Sequence, residues 1–240
     1  MLNFNLLAIK AYSSALVEVA DWQQWAATSF QPLPASNKFK ASKIPMMQAR
    51  RMGLSDKMAI QLAMELLELQ PDIDAVVFAS RHGQLERTYK LLSRFFATGD
   101  MSPTDFATAV HNAPAGQFSI LAKNTAPISS IAAEEQSFCT GLLEALLALQ
   151  GGKRKVLYVM FDGVVPEFYH PFLQPTELSE PYALGMVLEQ GEQWQLSWQP
   201  PSQQQAQKFP DGLSFLHKFF QNQPHFYLES DTQRWLFTQN

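Results

Sequence analysis

Residues 137–152 of this 240-residue chain, SFCTGLLEALLALQGG, constrain the fold more than any other segment. On a helix drawn through them, apolar side chains surround the axis almost completely, and a helix that is apolar all round is buried all round. KVLYVMFD at 155–162 then forms a near-continuous apolar strand, typical of a sheet covered on both faces. The chain therefore needs a layered core with this helix inside it.

Strands alternate with helices along the rest of the chain, which predicts an α/β architecture. Ser102 and Pro103 are typical of a helix start, and Pro114 and Gly116 favour its end near residue 112, before a strand at 117–124. The other predicted strands are 2–13, 74–80 and a hairpin of 181–189 with 193–200, and the other predicted helices are 21–30, 54–70, 83–99 and 212–223.

Residues 200–211, PPSQQQAQKFPD, are typical of a linker. It precedes the last predicted helix and a short aromatic tail. We therefore expect residues 1–200 to form the main domain, with residues 201–240 packed on that same domain as a linker, helix and tail.

Composition excludes several classes of protein. Hydrophobic residues make up 46% of the chain and charged residues 17%, which is typical of a globular protein rather than a disordered one. A formal charge of −4 provides no electrostatic footprint for nucleic acid. No metal-ligand spacing or phosphate-binding loop occurs, and no apolar run is long enough to span a membrane. With one cysteine and no signal-peptide pattern, we expect a cytoplasmic protein without a metal or cofactor.

The order of FASRHG, SPTDFATAVHNAPAGQFSI, a proline-containing link, the buried helix and VLYVMFD resembles the N-terminal half of β-ketoacyl-acyl-carrier-protein synthases. The short β-ketoacyl-synthase-like N-terminal domain family is the nearest match, over about residues 40–190. The resemblance implies a thiolase-like half-fold with a mixed central sheet, covered by helices, and one fully buried helix. The family's two catalytic histidines come from a C-terminal half, and we expect that half to be missing because the tail after residue 200 is too short for it. His217 and His225 of the tail also lack the glycine-rich surroundings of those histidines.

In active relatives a cysteine at the start of the buried helix attacks the acyl thioester. A gapless alignment from Pro127 to the strand at 156–161 places Glu135 at this position, whereas an alignment anchored on Thr140 and Gly141 places Phe138 there. Neither residue is a cysteine. Cys139 lies one residue beyond the second placement and is the fallback nucleophile, although a lone cysteine in an apolar helix is usually a packing residue.

A second set of residues lies in predicted turns and at the start of the buried helix. Related subunits sometimes carry glutamine at the nucleophile position, which draws attention to Gln136. Ser80 to Gly83 follow a strand, where α/β folds tend to place functional groups. Candidate pocket or turn residues are His111, Asn112, Gln136, Thr140 and Gly141. For His111 and Asn112 the alternative is that they only close a turn through hydrogen bonds to the backbone.

The resemblance implies a non-catalytic, chain-length-factor-like subunit that supports a full-length ketoacyl synthase in fatty-acid-like or aryl polyene biosynthesis. Its expected partners are that synthase or a second copy of the chain, and acyl carrier protein, whose thioester is a possible ligand. Such chains pair through the strand before the buried helix, so Phe118, Ile120 and Ala122 of the 117–124 strand are the predicted interface. The alternatives are an acyltransferase or condensing enzyme that uses Cys139, and a stand-alone acyl-binding module.

Overall fold

The computed structural model describes residues 1–202 and 209–240. In these residues seven strands form one mixed sheet in the order β3-β2-β4-β5-β7-β6, with β1 also pairing with β5. Neighbours β3, β2 and β4 are parallel, and the other pairs are antiparallel. The strands are β1 Leu2–Ser13, β2 Ala75–Ala79, β3 Ile128–Ile131, β4 Lys155–Asp162, β5 Tyr182–Gln199, β6 His225–Glu229 and β7 Arg234–Gln239.

Helices cover both faces of this sheet. They are α1 Val19–Ala26, α2 Met46–Ala49, α3 Leu54–Leu69, α4 Leu85–Thr98, α5 Pro103–Thr108, α6 Ala113–Ala122, α7 Ser137–Gln150 and α8 Asp211–Phe220. One apolar layer contains α1, α7 and α8, and the other contains α3 and α6. The predicted α/β fold is confirmed, and so is the inward position of α7, although Leu147 on its outer side is 50% exposed.

The strand predicted at 117–124 is wrong, because residues 113–122 form α6. Pro114 lies in the first turn of this helix, where its fixed φ is suited to helical geometry, so it begins a helix instead of ending one. Burial then outweighs the β propensity of the segment, since Phe118 is fully buried with its ring centroid 5.7 Å from that of Phe78.

The predicted interface residues consequently do not share one face. On a helix, residues four apart lie on the same side, so Phe118 and Ala122 both pack in the layer of α3 and α6. Ile120, two positions from each, is 75% exposed. The strand that precedes the buried helix is β3, at one edge of the sheet.

The predicted hairpin at 181–200 is also wrong, because β5 runs unbroken from Tyr182 to Gln199. β1 pairs with both halves of β5, and the register of this pairing shifts near Asn5, where β5 contains extra residues. A Cβ at Gly191 would lie 2.0 Å from Oδ1 of Asn5, so β5 passes close to the Asn5 side chain at this point. The QGE segment is therefore a site of close strand contact, not a turn.

The aromatic tail forms the antiparallel pair β6 and β7, and β7 pairs with β5. Residues 203–208 of the predicted linker at 200–211 lie outside the described residues, and α8 begins at Asp211. His217 of α8 bonds through Nε2 to the carbonyl oxygen of Thr28 at 2.9 Å and packs edge-on against Trp25. The residues after 209 thus complete the layer around α7.

Candidate functional site

A buried polar cluster lies where the parallel strands β2 and β4 end. Ser80 Oγ donates a hydrogen bond to Asp162 Oδ1 at 2.7 Å, and the backbone N–H of His82 donates to the same oxygen at 2.9 Å. Burial raises the pKa of the Asp162 carboxyl, against the opposing effect of His82 and these two donors. The prediction that residues 80–83 follow a strand is confirmed, and the end of β4 completes the cluster.

His111 is held against this cluster by the backbone. Its Nε2 donates to the carbonyl oxygen of Ser80 at 3.0 Å, so its observed contact is with the backbone 31 positions away and does not close its own turn. Gly83 has a φ of 52°, and a Cβ there would lie 2.7 Å from Cδ2 of His111. Asn112 is the exposed N-cap residue of α6. The close contact between His111 and Gly83 therefore restricts the position of both residues.

A polar cleft of about 270 Å³ opens on the other side of the strand ends. Nη2 of Arg81 lies 2.7 Å from Oε1 of the buried Glu177 beside it. Further residues lining the cleft are Glu135, Asp211, Ser214, Lys218 and Tyr227. Across residues 1–202 and 209–240, no group of three or more His, Cys, Asp and Glu side chains could hold a metal ion.

The N-terminal end of α7 is closed by Asp211, the first residue of α8. Oδ2 of Asp211 accepts a hydrogen bond from the backbone N–H of Phe138 at 2.8 Å and from that of Cys139 at 3.4 Å. These groups belong to the first turn of α7, where N–H donors lack partners within the helix. Burial raises the pKa of Asp211 to about 8, and this exceeds the opposing effect of its N–H donors.

Neither Phe138 nor the fallback Cys139 has the surroundings of a reactive group. Phe138 is fully buried, with its ring centroid 4.8 Å from that of Phe215, and its carbonyl accepts a hydrogen bond from the Tyr158 hydroxyl at 2.6 Å. Cys139 is 1% exposed, and burial, followed by the nearby Asp211 carboxyl, raises the pKa of its thiol well above the ordinary value. A thiol that stays protonated is a poor nucleophile.

The remaining candidates at the start of α7 face different neighbours. Gln136 donates to Oγ1 of Thr232 and accepts from Nε1 of Trp235 at 3.2 Å, so it contacts the segment of β6 and β7. Thr140 is partly buried, and Glu135 accepts from the backbone N–H of Asp231 at 3.0 Å.

Gly141 has a packing role, since a Cβ there would lie 2.6 Å from Cβ of Ala79 and 2.8 Å from Tyr158. His111 and Asn112 are associated with α6, in the opposite layer of the fold from α7. The five candidate pocket or turn residues therefore do not converge on one pocket.

Sequence reasoning missed two carboxyl groups of this region. Asp162 was visible as the polar end of an apolar strand, which is where parallel sheets expose functional groups. Asp211 lies 73 positions from Phe138, and its only local signal is that of an acidic residue at the start of a helix.

Together, the layered mixed sheet and the inward α7 define a ketosynthase-like class of protein. Residues 22–238 match the family model described as β-ketoacyl synthase, N-terminal domain, and the chain belongs to this family. The comparison with curated proteins finds no match. In the described part of the chain, no helix is both long and apolar enough to cross a membrane.

One similar structure is that of the ketosynthase ApeO in complex with its chain length factor ApeC, from Xenorhabdus doucetiae. The match has 33% sequence identity and a TM-score of 0.92, and it covers 100% of the present chain and 100% of the matched chain. The ishigamide ketosynthase/chain length factor has 16% identity and a TM-score of 0.67, with 82% of this chain and 67% of that one covered.

A type II polyketide synthase complex of acyl carrier protein and ketosynthase, AntDE:AntF, has 14% identity and a TM-score of 0.62, with 83% and 71% covered. The identities of this match and of the ishigamide match are low enough that they show the fold alone. The predicted family and its chain-length-factor-like class are confirmed.

Proposed function

We propose that this chain is a non-catalytic, chain-length-factor-like subunit that pairs with a full-length ketosynthase. The synthase extends acyl chains on acyl carrier protein, in fatty-acid-like or aryl polyene biosynthesis. The single observation that carries the proposal is the N-terminal end of α7, where the first-turn donors are bonded to Asp211 and the thiol of Cys139 is buried. An acylated nucleophile needs both a reactive thiolate and free donors at that end.

The similarity to ApeC supports the pairing, because that protein was solved with its ketosynthase. The match covers 100% of this chain and 100% of the matched chain, so the similarity extends along the full length of both. Residues 1–200 and 201–240 then act as one domain, because the chain after 209 adds strands to the same sheet. This subunit works in the cytoplasm beside its synthase.

The edge of β3 is the surface that we assign to the partner. Among the described residues β3 pairs only with β2, so its other edge is open, and such edges accept a strand from another chain. The N–H of Val76 donates to the carbonyl of Pro127, and that of Ser80 donates to Ile131. Because groups on a parallel strand alternate, Ser129 faces β2, whereas Ile128 and Ser130 face the open edge.

Two serine variants on β3 test this assignment. Ser130→Pro removes an outward N–H donor and spares the ladder with β2, so we expect a folded monomer that no longer copurifies with the synthase. Ser129→Pro is the matched control, because it interrupts the pairing with β2 and lowers the thermal midpoint. Gel filtration and native mass spectrometry of the co-expressed pair measure the outcome. A complex that survives Ser130→Pro contradicts the assigned surface, and a parent chain that never binds a synthase contradicts the function.

Cys139→Ala separates this function from an active acyltransferase or condensing enzyme. Since the thiol is buried and protonated, we expect unchanged product formation by the reconstituted pair and a small loss of stability. Product should be measured at equal subunit concentration, with the parent chain as reference. Loss of product from a folded variant would establish Cys139 as the nucleophile and overturn the non-catalytic role.

A further inference from the structure

The N-terminal end of α7 is occupied by the side chain of Asp211, a residue of the C-terminal segment. The Asp211 carboxyl accepts from the N–H groups of Phe138 and Cys139 through Oδ2, and from that of Gly212 at 2.9 Å through Oδ1. Both oxygens are therefore engaged, and the two first-turn donors of α7 are bonded to one of them. No donor of this pair is left for the oxygen of an incoming ligand.

Three further contacts connect the C-terminal segment to the elements around Asp211. α8 packs against α7 in the same apolar layer, with the ring centroid of Phe215 4.8 Å from that of Phe138 and the two rings tilted by 36°. A Cβ at Gly212 would lie 3.0 Å from the Tyr182 hydroxyl, so α8 begins at a point of close approach to β5. Gln136, just before α7, bonds to Thr232 and Trp235 near β7. The C-terminal segment is thus tied to α7 on both sides of the Asp211 carboxyl.

We propose that Asp211 is an internal blocking group, whose carboxyl occupies the N-terminal end of α7 and excludes an acyl group from it. The inference rests on the proposed function, since it explains physically why this subunit is not acylated. Active relatives are expected to present a cysteine and free donors at this end. Here the chain presents its own carboxyl, delivered by the helix that follows residue 210.

The blocking role predicts how Cys139 responds when the carboxyl is removed. Asp211→Ala vacates the helix end, so the thiol becomes more accessible to a reagent. Asp211→Asn keeps the volume and one acceptor oxygen and should leave the end closed. The rate of Cys139 labelling by iodoacetamide, followed by mass spectrometry on the folded protein, distinguishes the two.

We expect labelling of Asp211→Ala to be at least about tenfold faster than that of the parent, and labelling of Asp211→Asn to stay within about twofold. Leu216→Ala is the matched control, because it removes a fully buried side chain of α8 but no hydrogen bond to α7. If Leu216→Ala is labelled as fast as Asp211→Ala at the same distance below its thermal midpoint, general loosening explains the result and the proposal fails. Equal rates for the Asn and Ala variants would also overturn it.

Asp211→Ser provides the same comparison if the alanine variant does not fold, since its hydroxyl retains a small acceptor. Faster labelling than in Leu216→Ala supports the block, and an unchanged rate contradicts it. Each variant should also be tested for binding to the synthase, where we expect no change, because β3 lies at a sheet edge away from α8. Pairing with unaltered labelling would refute the block and leave the proposed function standing.

Discussion

The two faces of the sheet are built in different ways. On one face α3 and α6 come from the first half of the chain, and the layer is mainly aliphatic. On the other face, α8 from the end of the chain packs against both α7 and α1, and the layer contains stacked rings such as Phe226 and Phe237, with centroids 5.0 Å apart. The face that carries the helix with the family's reactive end is therefore the one that the C-terminal segment encloses.

The two faces therefore contribute differently to stability and to function. The α3 and α6 face contributes packing, and its polar tie to the strand ends, His111, bonds to a backbone carbonyl. The α7 face contributes packing and also decides what can reach the start of α7, through Asp211. A change on the first face should therefore alter stability alone, whereas a change on the second should alter stability and the protection of Cys139.

The largest expected effect comes from truncating one phenylalanine on each face. Phe118 and Phe138 are both fully buried, so Phe118→Ala and Phe138→Ala should each lower the free energy of unfolding by about 3–5 kcal/mol. Chemical denaturation measures both losses. Only Phe138→Ala should also speed the labelling of Cys139, because its ring lies beside the capped end of α7. Equal labelling in the two variants would remove the functional difference between the faces.

A smaller effect is expected from a pair of helix glycines. Gly141→Ala on α7 should cost about 1–3 kcal/mol, because the new methyl would meet Ala79 at 2.6 Å and the Tyr158 ring at 2.8 Å. Gly116→Ala on α6 meets no atom within 4 Å and should stabilise by about 0.5–1 kcal/mol through its higher helix propensity. Thermal unfolding of both variants tests the pair, and a neutral Gly141→Ala would show that α7 can move away from the sheet.

The same contrast explains which parts of the fold were predictable from sequence. α7 and β4 were predictable, because an all-round apolar pattern leaves few alternatives to burial. α6 was not, because Pro114 fits either the end of one helix or the first turn of the next, and the burial of Phe118 decides between them. The unbroken β5 was missed because its bulge depends on Asn5 of a distant strand.

The candidate site was predictable only where its residues are local. Residues 80–83 and the start of α7 could be located, because each follows or begins a strongly apolar element. The contact of Asp211 with Phe138 could not, since 73 positions separate them and no local pattern encodes the packing of α8 on α7. Cys139 was correctly located within the helix, but its burial and its raised thiol pKa depend on that same packing.

The last expected effect is a pH dependence that belongs to the α7 face. The pKa of Asp211 rises from its ordinary value of 3.8 in the unfolded chain to about 8 in the folded one, because its carboxyl is desolvated. Between these values the folded state holds a proton that the unfolded state has released, so stability falls as pH rises from about 4 to about 8, by at most about 1.4 kcal/mol per pH unit. Above that window the group contributes no further change.

Asp211→Asn isolates this contribution, because asparagine does not titrate. The other ionisable groups around the carboxyl remain in both proteins: Asp162, Cys139, Tyr158, Tyr182, Arg81, Glu135 and Lys218. The difference in unfolding free energy between the parent and Asp211→Asn should therefore shift against the parent as pH rises from 5 to 8. A difference that stays constant over that range would mean that Asp211 keeps its ordinary pKa, and that its three N–H donors, rather than burial, dominate the electrostatics at the start of α7.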